Sequence, residues 1–494
     1  MKLPKNLNPL HPPIGQFQTD TIGFGVIHEN SGLLLPVGLG KTYCSINVCK
    51  WRIQNNNVKK ILILCPTPIL TKWQEEIEKF SGHNSIILYN QNRDKRLQLI
   101  NRFTKDNTIY GLINYEGLSP YLKQLLKIKL DMIVADESSR YIKNLISGIR
   151  DFNGHFKTVK RTEATLLLGD KAKYRIILTG TLITAKPLDI WSQFRFLDKG
   201  EAFGDNYYAW RGYYFNKIDY GNFSKLEIKQ EKIKQLNKKI FSKCIRFEKK
   251  DVMPDLPESM YQTINITMED SLQRIYDKLQ KKIISEIETA EGTAVINILH
   301  IFTKLIRLQQ VTSGYIKDED NIIKDLKQTP KLDAVMEEVY TVLDSNESVI
   351  IWCKFRYTIL LISKKLKKDK ILHTVMTGDD NPKQKTEKWK GFQKSKTINV
   401  FIGQVVAGGI GIELFKIDSE EEYQHILFVE NTFVLDHREQ ALGRNEQRIG
   451  QNAKCRIVDF VVKGTIDEKI LNTIKQDKKI SDMIMKGGVR KWLS

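Results

Sequence analysis

The chain has 494 residues, 41% of them apolar and 28% charged, with 78 Lys and Arg against 58 Asp and Glu for a formal net charge of +20. That size and balance suit a globular protein of two or three domains, exclude disorder as the default, and favour a polyanionic partner, although a base-composition bias would enrich Lys, Asn and Ile in the same way. No apolar run approaches the roughly 18–20 residues that span a bilayer, Met1-Lys2-Leu3-Pro4-Lys5 carries no apolar signal core, and the cysteines at 44, 49, 65, 244, 353 and 455 form no Cys-x-x-Cys pair. The expectation is an intracellular protein without a membrane span, zinc site or disulfide framework.

Short apolar runs at 32–35, 61–64, 108–113, 132–134 and 176–178 alternate with helix-compatible segments, as buried parallel strands require, and define an α/β lobe over 1–199. Residues 200–330 change character. They are aromatic at Tyr207, Tyr208, Trp210, Tyr213, Tyr214 and Phe215, then Lys-rich with a helical period from Lys225 to Lys243. Pro254 and Pro257 break that period, which predicts a helical insertion in two parts joined by an extended linker. A second series of apolar runs at 349–352, 400–402, 426–429 and 457–460 predicts another α/β lobe over 331–478, followed by a basic tail at 479–494. The expected fold class is therefore α/β, two parallel-sheet lobes with a helical insertion between them, and no chromatin-reading or nuclease domain after the second lobe.

Gly38-Leu39-Gly40-Lys41-Thr42 follows the first apolar run and opens a helix-compatible segment. Glycines there let backbone N–H groups turn toward phosphates, Lys41 can reach the β and γ oxygens, and the Thr42 hydroxyl can ligate Mg²⁺. Asp136-Glu137 ends a later run, which suits Asp136 to the metal and Glu137 to the attacking water. An isolated Asp-Glu pair is usually a solvated turn; its position downstream of a phosphate loop reverses that reading. Thr179-Gly180-Thr181 ends a further run and suits nucleotide sensing through hydroxyls. Arg444 and Arg448, four apart, would share a helix face and could both reach a phosphate; the alternative is an exposed basic helix.

In this order the motifs resemble the Swi/Snf-type branch of the superfamily 2 helicases. Phe17-Gln18 resembles the adenine-reading glutamine element, Cys65-Pro66-Thr67 with Trp73 the next motif, and Asn114-Tyr115-Glu116-Gly117-Leu118, Asp136-Glu137-Ser138-Ser139 and Leu178-Thr179-Gly180-Thr181 the remaining first-lobe motifs. Lys249-Lys250-Asp251-Val252-Met253-Pro254-Asp255-Leu256-Pro257 and Gln447-Arg448-Ile449-Gly450-Gln451 are especially like this branch.

The resemblance implies two RecA-like lobes, ATP and Mg²⁺ as cofactors, and bound duplex DNA. It further implies DNA-stimulated ATP hydrolysis coupled to translocation. The accompanying expectations are a monomer on duplex or branched DNA without sequence specificity, no membrane, and targeting by protein partners or by DNA structure. Carried over, Gln18 and 38–42 bind nucleotide, Ser139 with Thr179, Gly180 and Thr181 couples the motifs, and Gln440, Arg444 and Arg448 form the finger motif. Val405 to Leu414 resembles the second-lobe motif coupling ATP to DNA, with Gly411 at the nucleotide and Gly408 at DNA. Thr67, Lys72, Asn114, Tyr115 and Lys354 are the other implied contacts to the DNA backbone.

Three departures stand out. Leu35-Pro36-Val37 replaces the acidic residues common before the phosphate loop, Ser139 stands where many members have histidine, and Glu413 occupies a usually neutral polar position. Two alternatives follow: a fork-remodelling helicase whose 200–330 segment acts as a wedge, with Tyr207, Tyr208 and Trp210 stacking on bases or simply forming helical core; and an ATP-gated DNA-binding module with vestigial turnover.

Overall fold

A computed structural model describes residues 2–150, 156–158, 160–182, 187–219, 224–253, 259–291, 298–317, 322–406, 414, 416, 421–433, 435–443 and 454–476. The chain forms two compact units, 1–255 and 256–494.

The first unit is built on seven strands: β1 (Asn30–Leu34), β2 (Ile61–Cys65), β3 (Ser85–Ile87), β4 (Tyr110–Asn114), β5 (Met132–Asp136), β6 (Tyr174–Thr179) and β7 (Cys244–Arg246). Their order is β7-β1-β6-β5-β2-β4-β3, every pair parallel. Helices cover the sheet, so its central strands are buried on both faces and read as unbroken apolar runs; Ile61–Cys65 is buried at every position. All five expected strands of this lobe are found.

The second unit repeats the plan with β8 (Met260–Ile266), β9 (Val349–Cys353), β10 (His373–Met376), β11 (Val400–Gln404), β12 (Tyr423–Phe428) and β13 (Lys454–Val462), ordered β8-β13-β12-β9-β11-β10 and again parallel. Its core packs Ile351, Ile402, Leu427 and Val458 on one side and Trp352, Phe401 and Phe392 on the other.

The segment at 200–330 differs from a purely helical insertion, since it supplies an edge strand to each sheet. β7 lies beside β1, and β8 lies beside β13. β8 is largely exposed along its length, so it lacks the apolar run that marks a central strand. The Lys-rich stretch is helical only from Gln230 to Phe241, a 3-10 turn leading into an α-helix, because Ser224–Ile228 pairs with Phe215–Asp219 as an antiparallel hairpin. Of the aromatic group, Tyr207 and Trp210 are buried in the first core while Tyr208 is half exposed, which removes two of the three rings from a base-stacking wedge. Pro254 and Pro257 lie outside the described residues. All six cysteines are buried, and among the described residues no helix is long and apolar enough to cross a membrane.

Candidate active site

Parallel α/β sheets bind ligands beyond the carboxyl ends of their strands. In the first unit that edge gathers the phosphate loop after β1, Thr179-Gly180-Thr181 at the end of β6, Asp136-Glu137 at the end of β5, Cys65-Pro66-Thr67 after β2 and Asn114-Tyr115 after β4. β1, β6, β5, β2 and β4 are consecutive neighbours, so motifs scattered over 140 residues of sequence share one rim.

Gly38 and Gly40 adopt φ of 94° and 79°, a left-handed backbone that glycine tolerates without a Cβ clash. Gly40 precedes the helix Lys41–Asn56 and offers no side chain to cap it, leaving the first turn suited to an anion. A Cβ on Gly40 would lie 2.6 Å from Gln18 Nε2. The Gln18 amide is buried, donates to the Leu39 carbonyl at 3.2 Å and accepts from the Ile14 N–H at 2.8 Å, so it braces the loop from behind. The Lys41 ammonium donates to the Leu35 carbonyl at 2.9 Å. Leu35, one of the departures before the loop, thus serves through its backbone.

Asp136 is buried, and its two carboxylate oxygens accept from the Trp73 indole N–H at 2.9 Å and from the Glu137 N–H at 2.9 Å. Burial and the adjacent Glu137 push its pKa up, while Lys41 and the Trp73 hydrogen bond oppose that shift. Glu137 itself sits at φ 51° in the left-handed region, uncommon for a residue with a side chain, and begins the short helix Ser138–Tyr141. The Tyr115 hydroxyl donates to the Asp136 carbonyl at 2.7 Å and its ring stacks on Tyr141 at 4.6 Å.

Ser139 and Thr179 share a buried hydroxyl–hydroxyl hydrogen bond of 2.7 Å, and Thr179 Oγ1 is 2.8 Å from the Thr181 carbonyl. The acidic motif and the Thr-Gly-Thr turn are therefore in direct contact through the serine that replaces histidine. Sequence reading missed Gln193, which accepts from the Ser138 hydroxyl at 3.0 Å and donates to the Leu182 carbonyl at 2.9 Å. Its signal was a glutamine among apolar residues on the helix Asp189–Asp198.

The DNA-facing expectations divide. Lys72 is partly exposed and lies 3.7 Å from Glu76. Thr67 accepts from the Asn114 amide at 2.9 Å. Asn114 is buried: its amide also donates to Glu116 at 3.0 Å and its oxygen accepts from Arg96 at 2.6 Å, so it clamps segments together. Tyr115 is fully buried with its hydroxyl spent on Asp136, which corrects its expected place at DNA; the aromatic ring fills the core instead.

In the second unit the Lys354 ammonium turns inward, donating to Gln309 and lying 4.0 Å from the centre of the Phe433 ring. Burial lowers its pKa to about 7. That orientation departs from an outward phosphate contact. Gln440 lies on the helix Leu435–Leu442. Gly408, Gly411, Glu413, Arg444 and Arg448 lie outside the described residues.

The phosphate loop after β1, the acidic pair after β5 and the shared rim define a superfamily 2 type α/β lobe. The chain belongs to the SNF2-related domain family, whose model matches residues 27–314. Among curated proteins it is similar to an uncharacterized ATP-dependent helicase, MG018, of Mycoplasma genitalium, with 26% identity over 445 residues covering 90% of this chain and 39% of that protein. It is also similar to the TATA-binding protein-associated factor MOT1 of Saccharomyces cerevisiae, 23% identical over 519 residues covering 93% of this chain and 26% of that one. The chain thus spans about two fifths or less of these relatives' length. Among solved structures, the Sulfolobus solfataricus SWI2/SNF2 ATPase core in complex with dsDNA aligns over 99% of this chain and 96% of that chain, with 20% identity and a TM-score of 0.44.

Proposed function

We propose that this chain is a DNA-dependent ATPase that couples ATP hydrolysis to translocation along duplex DNA, remodelling DNA or protein–DNA complexes. Family membership supports the class, and the observation that carries the reading is the rim that brings the Gly40–Lys41 loop and Asp136–Glu137 together on neighbouring strand ends.

The donor set fits ATP with Mg²⁺. Among the described residues no group of three or more His, Cys, Asp or Glu side chains gathers a metal by itself. One hydroxyl, one carboxylate and nucleotide phosphates are the ligands Mg²⁺ takes when it keeps several waters. Bound Mg²⁺·ATP supplies the electrophilic phosphoryl group and neutralises its charge. Thr42 and Asp136 would hold the metal, the 38–42 backbone and Lys41 would hold the phosphates, and Glu137 would orient the attacking water and accept its proton. Ser139 and Thr179 carry the state of the acidic motif to the Thr-Gly-Thr turn. By family resemblance Arg444 and Arg448 are the expected fingers, and Arg448→Ala should keep ATP binding and lose rate.

Backbone tracking requires phosphate contacts without base readout, which the net charge of +20 favours. The test is displacement of a third strand from a DNA triplex in the presence of ATP. Displacement from duplexes without strand separation supports translocation. Separation of forked strands without triplex displacement would move the reading to a fork-remodelling helicase, and neither activity would leave an ATP-gated binding module. DNA affinity should fall steeply with salt, by about 0.9 log units per phosphate contact for each log unit of salt.

A further inference from the structure

Trp73 and Tyr115 belong to the two segments expected to face DNA, yet both side chains end on Asp136. Trp73 lies on the helix Leu70–Ser81, where Leu70, Trp73 and Ile77 share the buried face at helical spacing. Its indole N–H reaches Asp136 Oδ2 at 2.9 Å from 63 residues away. Tyr115 opens the turn after β4, and its hydroxyl donates to the Asp136 carbonyl at 2.7 Å, on the peptide that leads into the left-handed Glu137. The two segments are themselves tied, Thr67 to Asn114 at 2.9 Å.

We propose that Trp73 and Tyr115 are positioning residues for the metal carboxylate and the water-activating carboxylate, and that they make the geometry of both depend on segments 65–73 and 114–117. The inference rests on the reading of Asp136 and Glu137 given above. Two neutral donors fix the plane of the Asp136 carboxylate: the indole N–H on one oxygen and the Glu137 N–H on the other. Neither donor cancels its charge, so it stays able to attract a cation. The Tyr115 hydroxyl anchors the peptide whose turn sets the direction of Glu137; a left-handed residue with a side chain costs about 1–2 kcal/mol and persists only where its surroundings hold it. A ligand that moves the Thr67–Lys72 rim therefore pulls on the indole and the phenol together. DNA on that rim would act on hydrolysis inside the first unit, alongside any effect it has on the second.

The experiment uses the full chain with Trp73→Phe and Tyr115→Phe. Mn²⁺ is titrated in the presence of ADP and read by the electron paramagnetic resonance of the free ion, with no turnover required; ADP affinity without metal is measured in parallel. Trp73→Phe removes one donor and keeps a ring in the core. It should weaken Mn²⁺ about tenfold, as loss of a hydrogen bond to a metal ligand does, and leave metal-free ADP affinity unchanged. Mn²⁺ affinity within twofold of the wild type in a folded Trp73→Phe protein overturns the role of Trp73. Trp73→His, which keeps a ring N–H, covers the case in which Trp73→Phe fails to fold: Mn²⁺ affinity near the wild type supports the indole donor, and a loss equal to removing the donor overturns it. Tyr115→Phe keeps the ring volume and tests the second contact by its own readout. It should leave Mn²⁺ affinity unchanged and reduce kcat about tenfold or more, as misdirection of a general base does; an unchanged kcat overturns the role of Tyr115. A wild-type protein that binds Mn²⁺ and ADP without DNA stimulation would contradict the DNA-driven reading and leave the indole test intact.

Discussion

In the second unit Asp459 accepts from the two terminal guanidinium nitrogens of Arg438, at 2.5 and 2.9 Å, and from the Asn431 amide at 2.8 Å. Asp467 pairs with the buried Lys331 ammonium at 2.8 Å. In the first unit Asp136 accepts from an indole and a backbone amide, both neutral. The architectures are alike, six or seven parallel strands with polar groups near the carboxyl rim, but the charges are used differently. A carboxylate gripped by a guanidinium is committed to structure, because breaking the pair leaves an uncompensated buried charge. A carboxylate fixed by neutral donors is held in place and remains able to attract Mg²⁺.

The sharpest way to break this comparison is Glu137→Gln, which should lower ATP turnover by about 10³ while ATP still binds, read by steady-state hydrolysis beside nucleotide binding. Arg438→Ala should destabilise the second unit by about 3–5 kcal/mol, seen as a shift in its denaturant transition, since Asp459 would be left buried and unpaired. A stability change near zero would show that Asp459 is not committed as argued. Gly40→Ala should weaken nucleotide affinity and cost about 1–2 kcal/mol of stability, because its Cβ meets the Gln18 amide and its φ is left-handed.

A smaller effect concerns Lys354. Its folded pKa of about 7 lies below the ordinary lysine value, through burial first, with Lys331 adding to the decrease and Glu430 and Asp467 opposing it. Below about pH 7 the folded protein bears the cost of a buried ammonium. From there to about pH 10 the unfolded chain binds a proton that the folded one lacks, so this group makes stability rise with pH. Lys354→Met should flatten that rise in denaturation curves taken across the interval.

The strands and phosphate-site motifs were legible because each depends on local sequence: an apolar run of about five residues for a doubly buried parallel strand, and glycines where the loop needs positive φ. The edge strands β3, β7, β8 and β10 were not, since short or largely exposed strands carry no such run. The Trp73 and Tyr115 contacts with Asp136 were hidden for another reason. Both motifs were visible, but sequence order gives no sign that helix Leu70–Ser81 and the turn after β4 direct their aromatic groups to the end of β5. Tyr115 was placed at DNA by resemblance, and burial reassigns it.

The central claim is that the carboxyl rim of the first sheet hydrolyses ATP under the control of DNA. Steady-state ATP hydrolysis by the full chain with and without duplex DNA, with Glu137→Gln as the blank, tests it most directly. The account predicts strong stimulation by duplex DNA and a silent blank; equal rates with and without DNA, or a blank as active as the wild type, would contradict it.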